Sequence, residues 1–170
     1  MAFLAEQAQD SLSGVAEVVG NDGVEIALEQ FAAEHSDLRL QKVSSNQWQG
    51  DHITLVQGDF FELENMGKFE AIFDRAALGA IEPYMREAYV QLTGRLLQPK
   101  GRILLEVMEI SGSLASGPPY SLSVEQVRTL YKGEDWVESV TLLDDDKGSP
   151  SSARQLRQRV KTHLFLIQAR

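Results

Sequence analysis

The chain has 170 residues, enough for one domain with a substantial core and short for two. Apolar residues make up 43% and charged residues 24%, an ordinary globular balance, and no apolar run reaches the roughly 18 residues of a membrane span. The net charge of −9 argues against a protein that tracks a phosphate backbone, and the lack of cysteine excludes disulfides, thiolate metal sites and a cysteine nucleophile. Residues 1–11 lack the basic region of a secretory signal, and His35, His52 and His163 show no metal-ligand spacing. The expectation is a cytoplasmic, metal-free protein.

In chain order, residues 1–9 suit a short helix, and Asp10, Ser11, Ser13 and Gly14 break it. Residues 15–20 read as a short apolar strand ending at Gly20. After Asn21, Asp22 and Gly23, residues 24–34 carry Ile26, Ala27, Leu28 and Phe31 at helical spacing. A weaker strand is expected over 38–44, then polar loop over 46–51, a compact strand over 53–56 closed by Gly58 and Asp59, and another over 69–73. Residues 84–97 have the period of an amphipathic helix, which Pro99, Lys100 and Gly101 stop. The near-continuous apolar run 103–107 reads as a strand covered on both faces. A Gly/Ser/Pro loop follows over 111–121. Ser123 then caps a helix starting at Val124, with Gln126 placed to close a capping box. Residues 136–143 and 160–168 read as strands around a polar loop over 144–152.

Alternating strands and helices, followed by two strands with no room for a helix between them, predict an α/β protein. The sheet should be Rossmann-like, mostly parallel, with an antiparallel hairpin at its C-terminal end. Nothing in the chain suggests a linker, so a single domain is expected.

Ligands of open α/β sheets bind beyond the carboxyl ends of the strands, so the polar residues after each apolar run are the ones to inspect. Asp22 stands where a carboxylate can accept both ribose hydroxyls, although on local sequence alone Asn-Asp-Gly reads first as a turn in which Asp22 caps the next helix. Asp59 can accept from an adenine amino group with Phe60 packed on the ring, or simply form a turn with Phe60 and Phe61 in the core. Arg75, beside Asp74 at a strand end, can stabilise an anionic substrate or a carboxylate, or pair with a carboxylate on the rim. Gly117-Pro118-Pro119-Tyr120 suits a pocket wall or lid over a flat substrate, or a stiff connection. Asp144 to Asp146 read as a solvated loop, and Trp48 and Trp136 as packing residues. There is no nucleophile elbow of the Gly-x-Ser-x-Gly type.

Together these junctions resemble the thiopurine S-methyltransferase family of class I S-adenosylmethionine-dependent methyltransferases. The matching pieces are Val18-Val19-Gly20 leading to Ile26-Ala27-Leu28-Glu29-Gln30-Phe31, then Gly58-Asp59-Phe60-Phe61, then Gly67-Lys68-Phe69 running on to Phe73-Asp74-Arg75-Ala76-Ala77-Leu78, and last Gly117-Pro118-Pro119-Tyr120. The resemblance implies that Asp22 stands at the ribose-binding acid, usually glutamate in the family, and that Asp59 and Phe60 contact the adenine end of the cofactor. Arg75 matches the arginine near the methionine moiety and the substrate, and is the catalytic candidate. The implied cofactor is S-adenosyl-L-methionine. The implied reaction is in-line methyl transfer to the sulfur of a small aromatic or heterocyclic thiol, by a monomer with no nucleic-acid or membrane partner.

Two departures from the family carry expectations of their own. The family's first strand and its glycine loop have no counterpart before residues 1–7, so the chain is expected to be N-terminally truncated with its first strand missing. Asn21 and Gly23 are unusual beside the ribose acid. One consequence is a non-catalytic remnant or interaction module. Another is that residues 15–20 take the vacant central position, with 38–44 as the second strand and Asp22 losing its ribose role.

Overall fold

The computed structural model describes residues 17–66, 68–110, 117–145 and 160–170. The helix expected over 1–9 and most of the loops over 111–121 and 144–152 lie outside them. The chain divides into two compact units, residues 1–65 and 66–170, each with its own four-stranded sheet.

In the first unit, β1 (Val18–Asp22) leads into helix α1 (Glu25–Glu34), followed by β2 (Gln41–Ser44), β3 (Gln47–Gly50) and β4 (Ile53–Gln57). The sheet order is β1-β4-β3-β2, with β1 parallel to β4 and the other pairs antiparallel. Leu28 and Phe31 of α1 pack with Leu38, Trp48, Ile53 and Leu55, and Val18 and Leu40 flank that cluster. Ile26, expected on the apolar face, is 60% exposed. It precedes Leu28 by two residues, about 200° round the helix, and so points away from the sheet. A Cβ on Gly20 would lie 2.8 Å from Leu55 Cδ2, so a side chain there would force that methyl to shift.

Two expectations are corrected in this unit. Residues 46–51 are not loop: β3 forms a hairpin with β2 and buries Trp48 in the core. Its other side chains are polar, which hid the strand. The placement of 38–44 beside the first strand also fails, because β1 pairs directly with β4 and β2 pairs only with β3 among the described strands.

The second unit opens with β5 (Phe69–Arg75), a short helix α2 (Ala77–Ala80) and helix α3 (Arg86–Leu96) entered through a 3-10 turn at Pro83–Met85. Strand β6 (Leu97–Ile110), helix α4 (Val124–Lys132), β7 (Val137–Asp145) and β8 (Val160–Ala169) complete it. The order β5-β6-β8-β7 places β8 antiparallel between β6 and β7, while β5 and β6 run parallel. The α/β class and the C-terminal antiparallel hairpin are as expected, and the β2–β3 hairpin makes the first sheet mixed as well. Ile103, Leu105 and Val107 alternate inward on β6, facing Phe165 and Ile167 of β8, and all five are fully buried. Ser123 caps α4 through the expected capping box: its hydroxyl accepts from Gln126 N while its own N–H donates to Gln126 Oε1. No helix among the described residues is long and apolar enough to cross a membrane.

Candidate active site

The parallel pairing of β1 and β4 brings their carboxyl ends to the same side, with Asp22 opposite Gln57. The turn after β4 is tied to β1 by backbone and side chain. Gly58 N donates to Asp22 O at 3.1 Å, and Asn21 Nδ2 donates to Val56 O at 3.1 Å and to Gly58 O at 3.2 Å. Asn21 was not singled out as functional, and its long-range bonds, spanning more than thirty residues, leave no local signature.

Asp22 is the last residue of β1 rather than part of the turn, and its carboxylate is 4% exposed. Oδ1 accepts from Val24 N at 2.8 Å and so closes the turn, but the N-cap of α1 is Val24, which receives no side-chain cap bond, so Asp22 does not cap the helix. Asp59 is exposed, and its Oδ1 accepts from Phe61 N at 3.0 Å, which starts the 3-10 segment Phe60–Met66. Phe60 is half-buried and meets Phe61 edge to face at a centroid distance of 6.5 Å. Asp22, Asp59 and Phe60 thus gather at one end of the β1–β4 pair. Nothing lies within 4 Å of the position a Cβ would take at Gly23 or at Gly58, so both turns border open space.

Arg75 closes β5 in the second unit. Its Nε donates to Glu106 Oε1 at 3.4 Å, directly opposite it on β6, and the two side chains are 32% and 31% exposed. The rim ion pair weighed from the sequence therefore forms, on a guanidinium that still reaches solvent. Glu106 was missed because it sits inside an apolar run, 31 residues away.

The residue beside Arg75 is the more constrained one. Asp74 is 3% exposed; its Oδ1 accepts from Ala77 N at 2.9 Å and Leu78 N at 3.4 Å, and its Oδ2 accepts from Tyr89 Oη at 2.9 Å. Burial pushes its carboxyl up to about 6, against the opposite pull of Tyr89 and the two backbone donors. Between Asp74 and the helix it caps, Ala76 adopts a left-handed conformation with φ of 63° and donates its N–H to Glu106 O at 3.0 Å. Downstream, Tyr120 N donates to Gly79 O at 2.6 Å, the Tyr120 hydroxyl donates to Glu82, and the buried Arg86 donates to the carbonyls of Tyr120 and Ser121 at 3.3 and 3.5 Å. The end of the Gly-Pro-Pro-Tyr segment is therefore strapped to the helices that follow Arg75.

With this geometry in hand, the comparisons with known proteins agree with one another. The family model for thiopurine S-methyltransferase matches residues 1–170. A thiopurine S-methyltransferase from Vibrio campbellii is 32% identical over 157 residues, covering 91% of this chain and 72% of that protein. One from Vibrio cholerae is 36% identical over 136 residues, covering 78% of this chain and 59% of its own length. Among solved structures, the YcgJ protein from Bacillus subtilis superposes with a TM-score of 0.69 at 13% identity, covering 98% of this chain and 88% of that one. The N-methyltransferase NodS from Bradyrhizobium japonicum, solved with S-adenosyl-L-homocysteine, gives 0.64 at 12% identity, covering 95% and 71%. At such identities these structures speak for the fold, and the family match speaks for more. The chain belongs to the thiopurine S-methyltransferase family of S-adenosylmethionine-dependent methyltransferases.

Proposed function

We propose that this protein transfers a methyl group from S-adenosylmethionine to the sulfur of a small thiol or thiopurine-like acceptor. The observation that carries the cofactor half is the buried carboxylate of Asp22 at the end of β1, beside the open turns at Gly23 and Gly58. In this reading Asp22 accepts from the ribose hydroxyls, Asp59 from the adenine amino group, and Phe60 lies against the ring. The donor supplies an electrophilic methyl on a sulfonium.

Arg75 works on the anionic groups. Its guanidinium, held at Nε by Glu106, favours the acceptor as a thiolate. The thiol proton leaves to water before transfer. When bound, the donor would give its methyl to the acceptor sulfur and keep the electron pair of the broken methyl–sulfur bond, with Asp22, Asp59 and Phe60 as the residues that would hold it. No proton moves during the step, so alignment and exclusion of water supply most of the rate.

Calorimetry with S-adenosylhomocysteine, alongside methyl transfer to a thiopurine and to simple aromatic thiols, tests this reading. Asp22→Asn should weaken S-adenosylhomocysteine roughly tenfold or more, the loss of a charge-assisted pair of hydrogen bonds. Unaltered affinity in that variant would remove Asp22 from the site. Wild-type protein that binds no S-adenosylhomocysteine would remove the activity.

A further inference from the structure

We propose that Asp74 is a positioning residue for Arg75, its buried carboxylate holding the strand-to-helix turn that carries the guanidinium. This rests on the reading above in which Arg75 meets the acceptor. Three separate segments converge on the one carboxylate: the N–H groups of Ala77 and Leu78 at the start of α2, the hydroxyl of Tyr89 on α3, and the strand β5 that bears it. Between these anchors Ala76 is held left-handed, a conformation an L-alanine keeps only where its surroundings over-determine it. Glu106 completes the clamp from β6, accepting from Ala76 N through its carbonyl and from Arg75 Nε through its side chain. The guanidinium is thereby fixed at both its backbone and its Nε.

A cap alone does not call for this residue. Asparagine or serine serves about as well at a helix start, and neither puts a charge in the interior. The groups facing Asp74 are the phenols of Tyr89 on α3 and Tyr131 on α4, and burial holds both well above the ordinary tyrosine range, so both stay neutral. The carboxylate is therefore ionised near neutral pH at a cost to stability. In return its hydrogen bonds to Ala77, Leu78 and Tyr89 are charge-assisted and tighter. A group kept at the expense of the fold, next to the proposed acceptor-binding cation, fits a role in function.

Asp74→Asn keeps the shape and the acceptor oxygen while removing the charge. The amides of Ala76 to Leu78 should exchange with solvent roughly five- to tenfold faster at pH 7.5, while the thermal midpoint rises by about 2–8 °C. With a thiopurine acceptor, kcat should fall about tenfold or more while S-adenosylhomocysteine affinity stays within about twofold. Tyr89→Phe removes one bond and leaves the charge. It should move amide exchange and kcat the same way by about threefold, which covers the case of a poorly folding Asp74 variant. A merely structural Asp74 gives a midpoint and a kcat that fall together, and that result overturns the proposal. So does unchanged exchange at 76–78, or faster exchange with unchanged kcat. Wild-type protein that neither binds S-adenosylhomocysteine nor transfers methyl refutes the methyltransferase reading instead, and the exchange measurement still decides whether Asp74 holds the turn.

Discussion

Asp74 also makes a prediction about stability that needs no substrate. Its carboxyl sits near 6 in the folded protein against an ordinary value of 3.8, raised chiefly by burial. The native state therefore holds this proton over a range where the unfolded chain has released it. Unfolding stability then falls as pH rises from about 4 to about 6, and the contribution is flat above about 7. At about 1.4 kcal/mol per pH unit, the ionised group costs on the order of 3 kcal/mol at neutral pH. Urea midpoints of wild type and Asp74→Asn measured between pH 4 and 8 should converge at the acid end and separate above pH 6, with the variant the more stable. Parallel curves would mean that Asp74 titrates normally and that its burial carries no such cost.

Among the elements, α3 carries a glycine, Gly94, whose lack of a side chain decides packing. A Cβ there would lie 2.4 Å from Trp136 Cε2 and 2.5 Å from its Nε1. The indole is braced on its other side by Tyr131, edge to face at 6.1 Å. Alanine in a helix interior normally gains up to about 1 kcal/mol over glycine, and overpacking costs about 1–3. Because the clash is with a braced ring, Gly94→Ala should lose about 1–2 kcal/mol net. Equal or higher stability in chemical denaturation would show that Trp136 swings aside. This contact also shows what the sequence holds and what it hides. The period of α3, the capping box of α4 and the apolar run of β6 are written in neighbouring residues and were legible, whereas the alternation of burial along β6 was not, since that run reads as a strand covered on both faces. Strand β3 was not, since two of its four residues are glutamine, one is glycine and only Trp48 is buried. The partners of the candidate site were hidden for the same reason: Tyr89, Glu106 and Asn21 reach their contacts across 15, 31 and 35 residues. Asp22, Asp59 and Arg75 stand out as candidates because strand ends announce themselves, whereas Asp74 looks like one more rim residue until its burial is seen.

For the molecule as a whole, family membership and local geometry meet in one thermodynamic consequence. A ligand that binds the native state and not the unfolded chain stabilises it by RT times the logarithm of one plus its concentration over its dissociation constant. S-adenosylhomocysteine at 100 times its dissociation constant should therefore add about 2.7 kcal/mol to unfolding. At the same concentration, an Asp22→Asn protein with roughly tenfold weaker binding should gain about 1.4 kcal/mol. The thiol acceptor alone should add far less, since Arg75 with its Glu106 partner is a rim cation and single exposed ion pairs are weak. The order matters more than the sizes. Stabilisation that is large for S-adenosylhomocysteine, halved by Asp22→Asn and left intact by Asp74→Asn separates the residue that holds the nucleoside from the residue that aims Arg75. Equal loss of ligand stabilisation in both variants would collapse that division of labour, because a carboxylate that only braces the β5–α2 turn has no bond to give the nucleoside.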